Sequence, residues 1–119
     1  MHELALASSI VSAVEHEIAR QNLPPVKAVV VRIGALSDVV PEALQFNFEA
    51  ITRDTALATT QLIIEHVPLE AHCRDCHVDF QVHNLVFQCP ECASGQVEVI
   101  QGEELEIAYL EVEDATESD

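Results

Sequence analysis

CRDCHVDFQVHNLVFQCPEC, residues 73–92, carries all four cysteines of a 119-residue chain. They fall as Cys73-x-x-Cys76 and Cys89-x-x-Cys92 with twelve residues between. Two C-x-x-C knuckles joined by a short hairpin bring four sulfurs to the corners of a tetrahedron around Zn²⁺. A dithiol redox pair or two disulfides are the alternatives, and the paired spacing favours zinc. Four thiolates leave no open coordination position, so such an ion is structural, not catalytic. Pro90 stiffens the second knuckle, and Gly95 is expected to permit the tight turn after it. Asp79–Val82 and Val86-Phe87 read as the two hairpin strands, with Phe80 and Phe87 packing together or over the site. A segment this short buries too little apolar area to offset its chain entropy, and zinc supplies the missing stabilisation, of order ~10 kcal/mol. His72, His77 and His83 lie close by and read as exposed polar residues of the loop.

On the N-terminal side, Glu3 to about Gln21 reads as an amphipathic helix, with Leu4, Ala7, Val11, Val14 and Ile18 inward and Ile10 flanking. Pro24-Pro25 stops it. VKAVVVRI, residues 26–33, is β-branched and reads as a mostly buried strand. After the loop GALSDVV, Pro41 opens a second helix running to about Arg53, with Leu44, Phe48 and Ile51 inward. A strand near Gln61–Val67 ends at Pro68. On the C-terminal side, QVEVI and the alternating LEIAYLEV (residues 105–112) read as strands about a turn at Gly102, before an acidic tail. The cysteine module takes residues 69–95, and residues 1–68 with 96–119 make the other domain.

The balance of 5 basic against 21 acidic residues gives a net charge of −16. One lysine and four scattered arginines exclude phosphate-backbone recognition of nucleic acid, and docking on an anionic membrane is disfavoured likewise. Cations and basic protein surfaces are the expected partners. No run approaches the ~20 apolar residues of a bilayer span, and the first residues do not read as a secretory signal. A reducing cytoplasm is expected, where cysteines serve metals or redox chemistry more often than disulfides. No nucleophile-with-base constellation and no phosphate-cradling glycine loop is present, so the chain does not read as an enzyme.

The first residues are Met1-His2-Glu3. The Met1 amine, the deprotonated His2 amide and the His2 imidazole close two adjacent chelate rings around one cation, and Glu3 supplies a further carboxylate. Three nitrogens in a plane suit Ni²⁺ or Cu²⁺. Glu3 also has an ordinary role, since an acid in a helix's first turn complements its dipole.

Taken in order, Met1-His2-Glu3 at the start of a helix, Ile33-Gly34-Ala35-Leu36-Ser37, Val39-Val40-Pro41-Glu42-Ala43-Leu44, the two knuckles and Gly102-Glu103-Glu104-Leu105 resemble the HypA/HybF hydrogenase maturation factors. The resemblance covers nearly the whole chain. It implies an α+β fold of two helices and a small mixed β-sheet, forming a nickel-binding domain, with a zinc-ribbon domain emerging from it. It implies a nickel metallochaperone that delivers Ni²⁺ to the large subunit precursor of [NiFe]-hydrogenase with a HypB-type GTPase, and in some members serves urease maturation factors. By the resemblance His2, with Met1 and Glu3 beside it, holds nickel, and Cys73, Cys76, Cys89 and Cys92 hold zinc. Two positions depart from the family. Ala93 stands where Gly is frequent, and Val40 stands where some members place an acid, which leaves Asp38 as an additional candidate ligand. A monomer or weak homodimer is expected. The competing reading is a zinc-ribbon protein-interaction module without a nickel role.

Overall fold

The structure is a computed structural model and describes residues 2–113. The Met1 ligand and the acidic tail beyond Glu113 lie outside the described residues. In chain order the elements are α1 (Glu3–Gln21), β1 (Val26–Gly34), a 3₁₀ turn (Ala35–Ser37), α2 (Pro41–Thr52), β2 (Gln61–Val67), β3 (Glu70–Cys73), β4 (Asp79–Gln81), β5 (Val97–Gln101) and β6 (Leu105–Val112). They form two three-stranded sheets, ordered β2-β1-β6 and β4-β3-β5. The chain divides into two compact units: one takes the segments up to Val31, Asp38–Glu65 and from Glu106, the other Arg32–Ser37 and His66–Leu105.

In the first unit, α1 ends where Asn22 turns left-handed (φ 52°) and closes its amide on the Ile18 carbonyl. Asn tolerates that conformation, so a helix cap forms before Pro24 is reached. The buried face of α1 is Leu6, Ala7, Ile10 and Val14, while Leu4 is 54% exposed and Val11 and Ile18 are half-buried. The inward stripe is therefore rotated from the one expected. Both stripes satisfy the three-four spacing, and α2, which packs against α1, decides between them. In α2 the buried residues are Leu44, Phe48 and Thr52 in place of the expected Ile51. Thr52 is admitted because its hydroxyl donates to the Phe48 carbonyl at 2.8 Å.

β1 is central in its sheet, and Val29, Val30 and Val31 are all buried, as a strand covered on both faces requires. The Thr60 hydroxyl, just before β2, donates to the Val26 carbonyl at 2.7 Å. That sets the starts of β1 and β2 side by side, as parallel strands joined through a crossover helix need. On the other edge, Gly34 donates to the Glu104 carbonyl and Glu113 to that of Pro25, so β6 runs antiparallel to β1. The sheet is mixed.

The second unit is built on β3, a strand that periodicity does not reveal because it is only four residues long and ends on Cys73 of the first knuckle. β3 pairs antiparallel with β4 and with β5. The cysteine-bearing sheet therefore extends past Gly95 through β5. Its core is small: Leu69, Ala71 and Val82, with Phe80, Val97 and Val99 against them. Val86-Phe87 makes no strand, correcting the hairpin expectation. Asn84 (φ 54°) and Leu85 (φ 57°) both turn left-handed, which breaks the extended run, and Leu85 and Val86 are left 66% and 55% exposed. Phe80 packs on the Leu69 cluster. Gly34 and Gly102 make a close approach. A Cβ on Gly34 would lie 2.1 Å from the Gly102 carbonyl oxygen, and Gly102 itself has φ 118°.

Candidate metal centres

The four cysteine sulfurs lie within 4.8 Å of one another. Cys73 and Cys92 approach to 3.6 Å and Cys76 and Cys89 to 3.5 Å. A tetrahedron with Zn–S bonds of about 2.3 Å has S···S edges of about 3.8 Å, so this donor set suits zinc. All four cysteines are free. Disulfides need sulfurs at about 2.05 Å, which removes the two-disulfide reading. Cys73 and Cys89 are buried, and Cys76 and Cys92 reach the surface.

The two knuckles repeat one backbone pattern. In the first, the Cys73 amide donates to the Val78 carbonyl and the His77 amide to that of Cys73, each at 2.9 Å. In the second, the Cys89 amide donates to Ser94 at 2.9 Å and the Ala93 amide to Cys89 at 2.8 Å. Closing each ring requires a left-handed residue after the second cysteine, and His77 (φ 67°) and Ala93 (φ 63°) supply it. Contrary to the sequence expectation, Gly95 does not carry the turn: a Cβ there would meet nothing within 4 Å, and the left-handed position is Ala93. An L-residue pays sterically for that conformation, where glycine does not. Ala93→Gly is expected to stabilise the protein by about 0.5–1 kcal/mol, raising the thermal midpoint with zinc content unchanged.

The protein dipoles around the sulfurs are unequal. The Cys76 amide donates to Cys73 Sγ at 3.4 Å, and this, with the Asp75 amide, brings the Cys73 thiol down to about 6. Loss of solvent dominates at Cys76 and pushes its thiol up to about 12. The backbone N–H groups thus favour the ionised form at Cys73, while loss of solvent disfavours it at Cys76. Ser94 and Asp75 tie the knuckles together: the Ser94 hydroxyl donates to the Asp75 carboxylate and accepts the Gln96 amide at 3.0 Å. Sequence reasoning missed this clasp, since neither residue stands at a ligand spacing. His72 bonds Asp79 through Nδ1 at 2.6 Å, with its ring centroid 5.8 Å from that of His77.

In the first unit, His2 is the N-cap of α1, exposed, and its imidazole makes no capping bond. Its carbonyl accepts the Leu6 amide at 3.0 Å, so the helix holds the backbone of His2 and leaves the ring outside. Glu3 follows in the first turn, and its carboxylate accepts the Val40 amide at 3.1 Å. That bond, then the Glu3 amide, holds the carboxyl below its ordinary range. His2, Glu3, Leu4, Ala5, Ser8 and Asn47 line one surface depression. Asp38 is exposed and left-handed (φ 62°), the geometry of a turn residue.

A family model described as "Hydrogenase/urease nickel incorporation, metallochaperone, hypA" matches residues 1–112, which include both knuckles and the first three residues. The hydrogenase maturation factor HypA of Geotalea uraniireducens (strain Rf4) is 44% identical over 95% of this chain and 100% of its own. That of Desulfatibacillum aliphaticivorans is 37% identical over 98% of this chain and 91% of its own. Among solved structures, the nickel metallochaperone HypA from Helicobacter pylori in solution has a TM-score of 0.65 at 27% identity, covering 94% of this chain and 97% of that one. A second HypA solution structure reaches 0.71 at 27% identity, over 95% and 97%. Two helices over a mixed sheet, a second sheet ending in a four-sulfur cluster, and relatives matched almost end to end leave one conclusion: this chain belongs to the HypA family of nickel metallochaperones, maturation factors that are not enzymes.

Proposed function

We propose that this chain binds Ni²⁺ through the Met1 amine, the His2 amide and the His2 imidazole, with the Glu3 carboxylate beside them. It delivers the ion to the large subunit precursor of a [NiFe]-hydrogenase in the cytoplasm, alongside a HypB-type GTPase. Cys73, Cys76, Cys89 and Cys92 hold a structural Zn²⁺. The observation that carries this reading is the family match through residue 1 together with an exposed His2 whose ring is not used in capping.

The chemistry fits a carrier. Nitrogen donors on a helix cap grip a late divalent ion in a plane, yet each can leave separately. An acceptor rich in thiolates outcompetes them, and acid loosens them because the ligands must shed protons to bind. The zinc cluster has the opposite character: four thiolates, two of them buried, fixed by their own backbone rings.

A peptide extension in front of Met1 converts the amine into an amide and removes one donor. The extended protein is expected to lose the absorption band of planar nickel while keeping one zinc per chain. Equal nickel titrations for extended and unextended protein would remove the amine from the site.

A further inference from the structure

Glu3 is placed where the starts of two helices meet one carboxylate. It lies in the first turn of α1, and its Oε2 accepts the backbone amide of Val40, the N-cap of α2, at 3.1 Å. Both helix starts present partial positive charge, so the carboxylate is favoured there from two directions. The Val40 side chain is apolar and 52% exposed, and it makes no capping bond. What residue 40 contributes is therefore its backbone. Its carbonyl accepts the Leu44 amide at 3.0 Å and so starts α2, while its N–H, on the preceding peptide unit, is given to Glu3. A carboxylate offers about four lone-pair directions, so one such bond orients the group without exhausting it.

We propose that the Val40 backbone N–H is a positioning group for the nickel site: it holds the Glu3 carboxylate against the start of α2, so that the remaining oxygen lone pairs face the ion at His2. The proposal rests on the chain-end nickel site described above. It makes α2 part of the metal site, although α2 supplies no ligand. Loading the ion stiffens the Glu3–Val40 bond, because a carboxylate shared between a cation and an N–H has lost its freedom to rotate. The Asn47 side chain, which lines the same depression, donates to the Ala43 carbonyl at 2.8 Å and so faces the site already paired.

Val40→Pro tests this with no ligand changed. Residue 40 has φ −89°, close to the range proline adopts, and proline at a helix start removes the N–H while keeping the carbonyl. With zinc-loaded full chain, Val40→Pro is expected to bind Ni²⁺ about tenfold more weakly than wild type, with helical circular dichroism unchanged. A folded Val40→Pro that titrates like wild type overturns the proposal. Should proline disturb α2, hydrogen exchange at the Val40 amide decides instead. Exchange is expected to be slow in wild type, slower after one equivalent of Ni²⁺, fast in Glu3→Ala, and restored in Glu3→Gln, whose amide oxygen still accepts. Equal exchange in wild type and Glu3→Ala overturns the proposal. Failure of the chain-end site itself shows differently, as a His2→Ala protein that binds nickel normally.

Discussion

Cys73→Ala is expected to abolish tight zinc binding and to unfold the β4-β3-β5 sheet, with a loss of stability in that unit approaching the ~10 kcal/mol of a structural zinc site. The size follows from what else holds the unit together. Its core is three buried residues with Phe80, Val97 and Val99 leaning on them. Burying a large apolar side chain is worth about 1.5–3 kcal/mol, while each ordered residue costs about 1–2 kcal/mol of backbone entropy. Apolar burial alone does not close that gap; the metal does. Cys73 is the severest choice of the four, because it is fully buried, is the last residue of β3, and its sulfur accepts the Cys76 backbone amide. Its removal leaves that amide and the Cys92 sulfur without the group they approach. Zinc content by atomic absorption and amide exchange across β3–β5 read the effect. A Cys73→Ala protein with one tightly held zinc and protected β3 amides would show that three cysteines and a substitute ligand suffice, and the four-sulfur assignment would fall. Nickel titration of the same variant separates the two centres, since the proposed nickel ligands belong to the other unit.

His2→Ala is expected to take nickel binding below detection while zinc content, helicity and thermal midpoint stay at wild-type values. The imidazole closes the second chelate ring, and without it the amine and amide have no third in-plane nitrogen. Structural side effects are small because His2 supports α1 through its carbonyl, which alanine retains, and not through its ring. Calorimetric titration with Ni²⁺, paired with zinc analysis, gives the result directly. Wild-type nickel affinity in His2→Ala would move the cargo site elsewhere in the chain.

Much of this architecture was readable from residues. Residues 26–33 read as a mostly buried strand and form one, and Pro24-Pro25 marks the end of α1 to within a few residues, although the cap itself is Asn22. The C-x-x-C pairs announce the metal cluster, because thiolate chemistry demands that spacing and little else does. What stayed hidden depended on partners distant in sequence. The inward face of α1 was set by α2, and both candidate stripes had the same period. β3 was masked by its brevity, and Val86-Phe87 was misread because β-branched and aromatic content cannot register two consecutive left-handed residues before it. The Val40 amide carries no sequence signal at all, since every residue but proline has one.

Each cysteine loop closes on itself through the same two backbone bonds, so the cluster is built from two like pincers, each presenting two sulfurs. A zinc ion held between them would have two sulfurs on each arm, so its loss to a competing chelator is expected to speed up as chelator concentration rises. The Ser94–Asp75 hydrogen bond joins the two arms, and Ser94→Ala is expected to quicken that exchange.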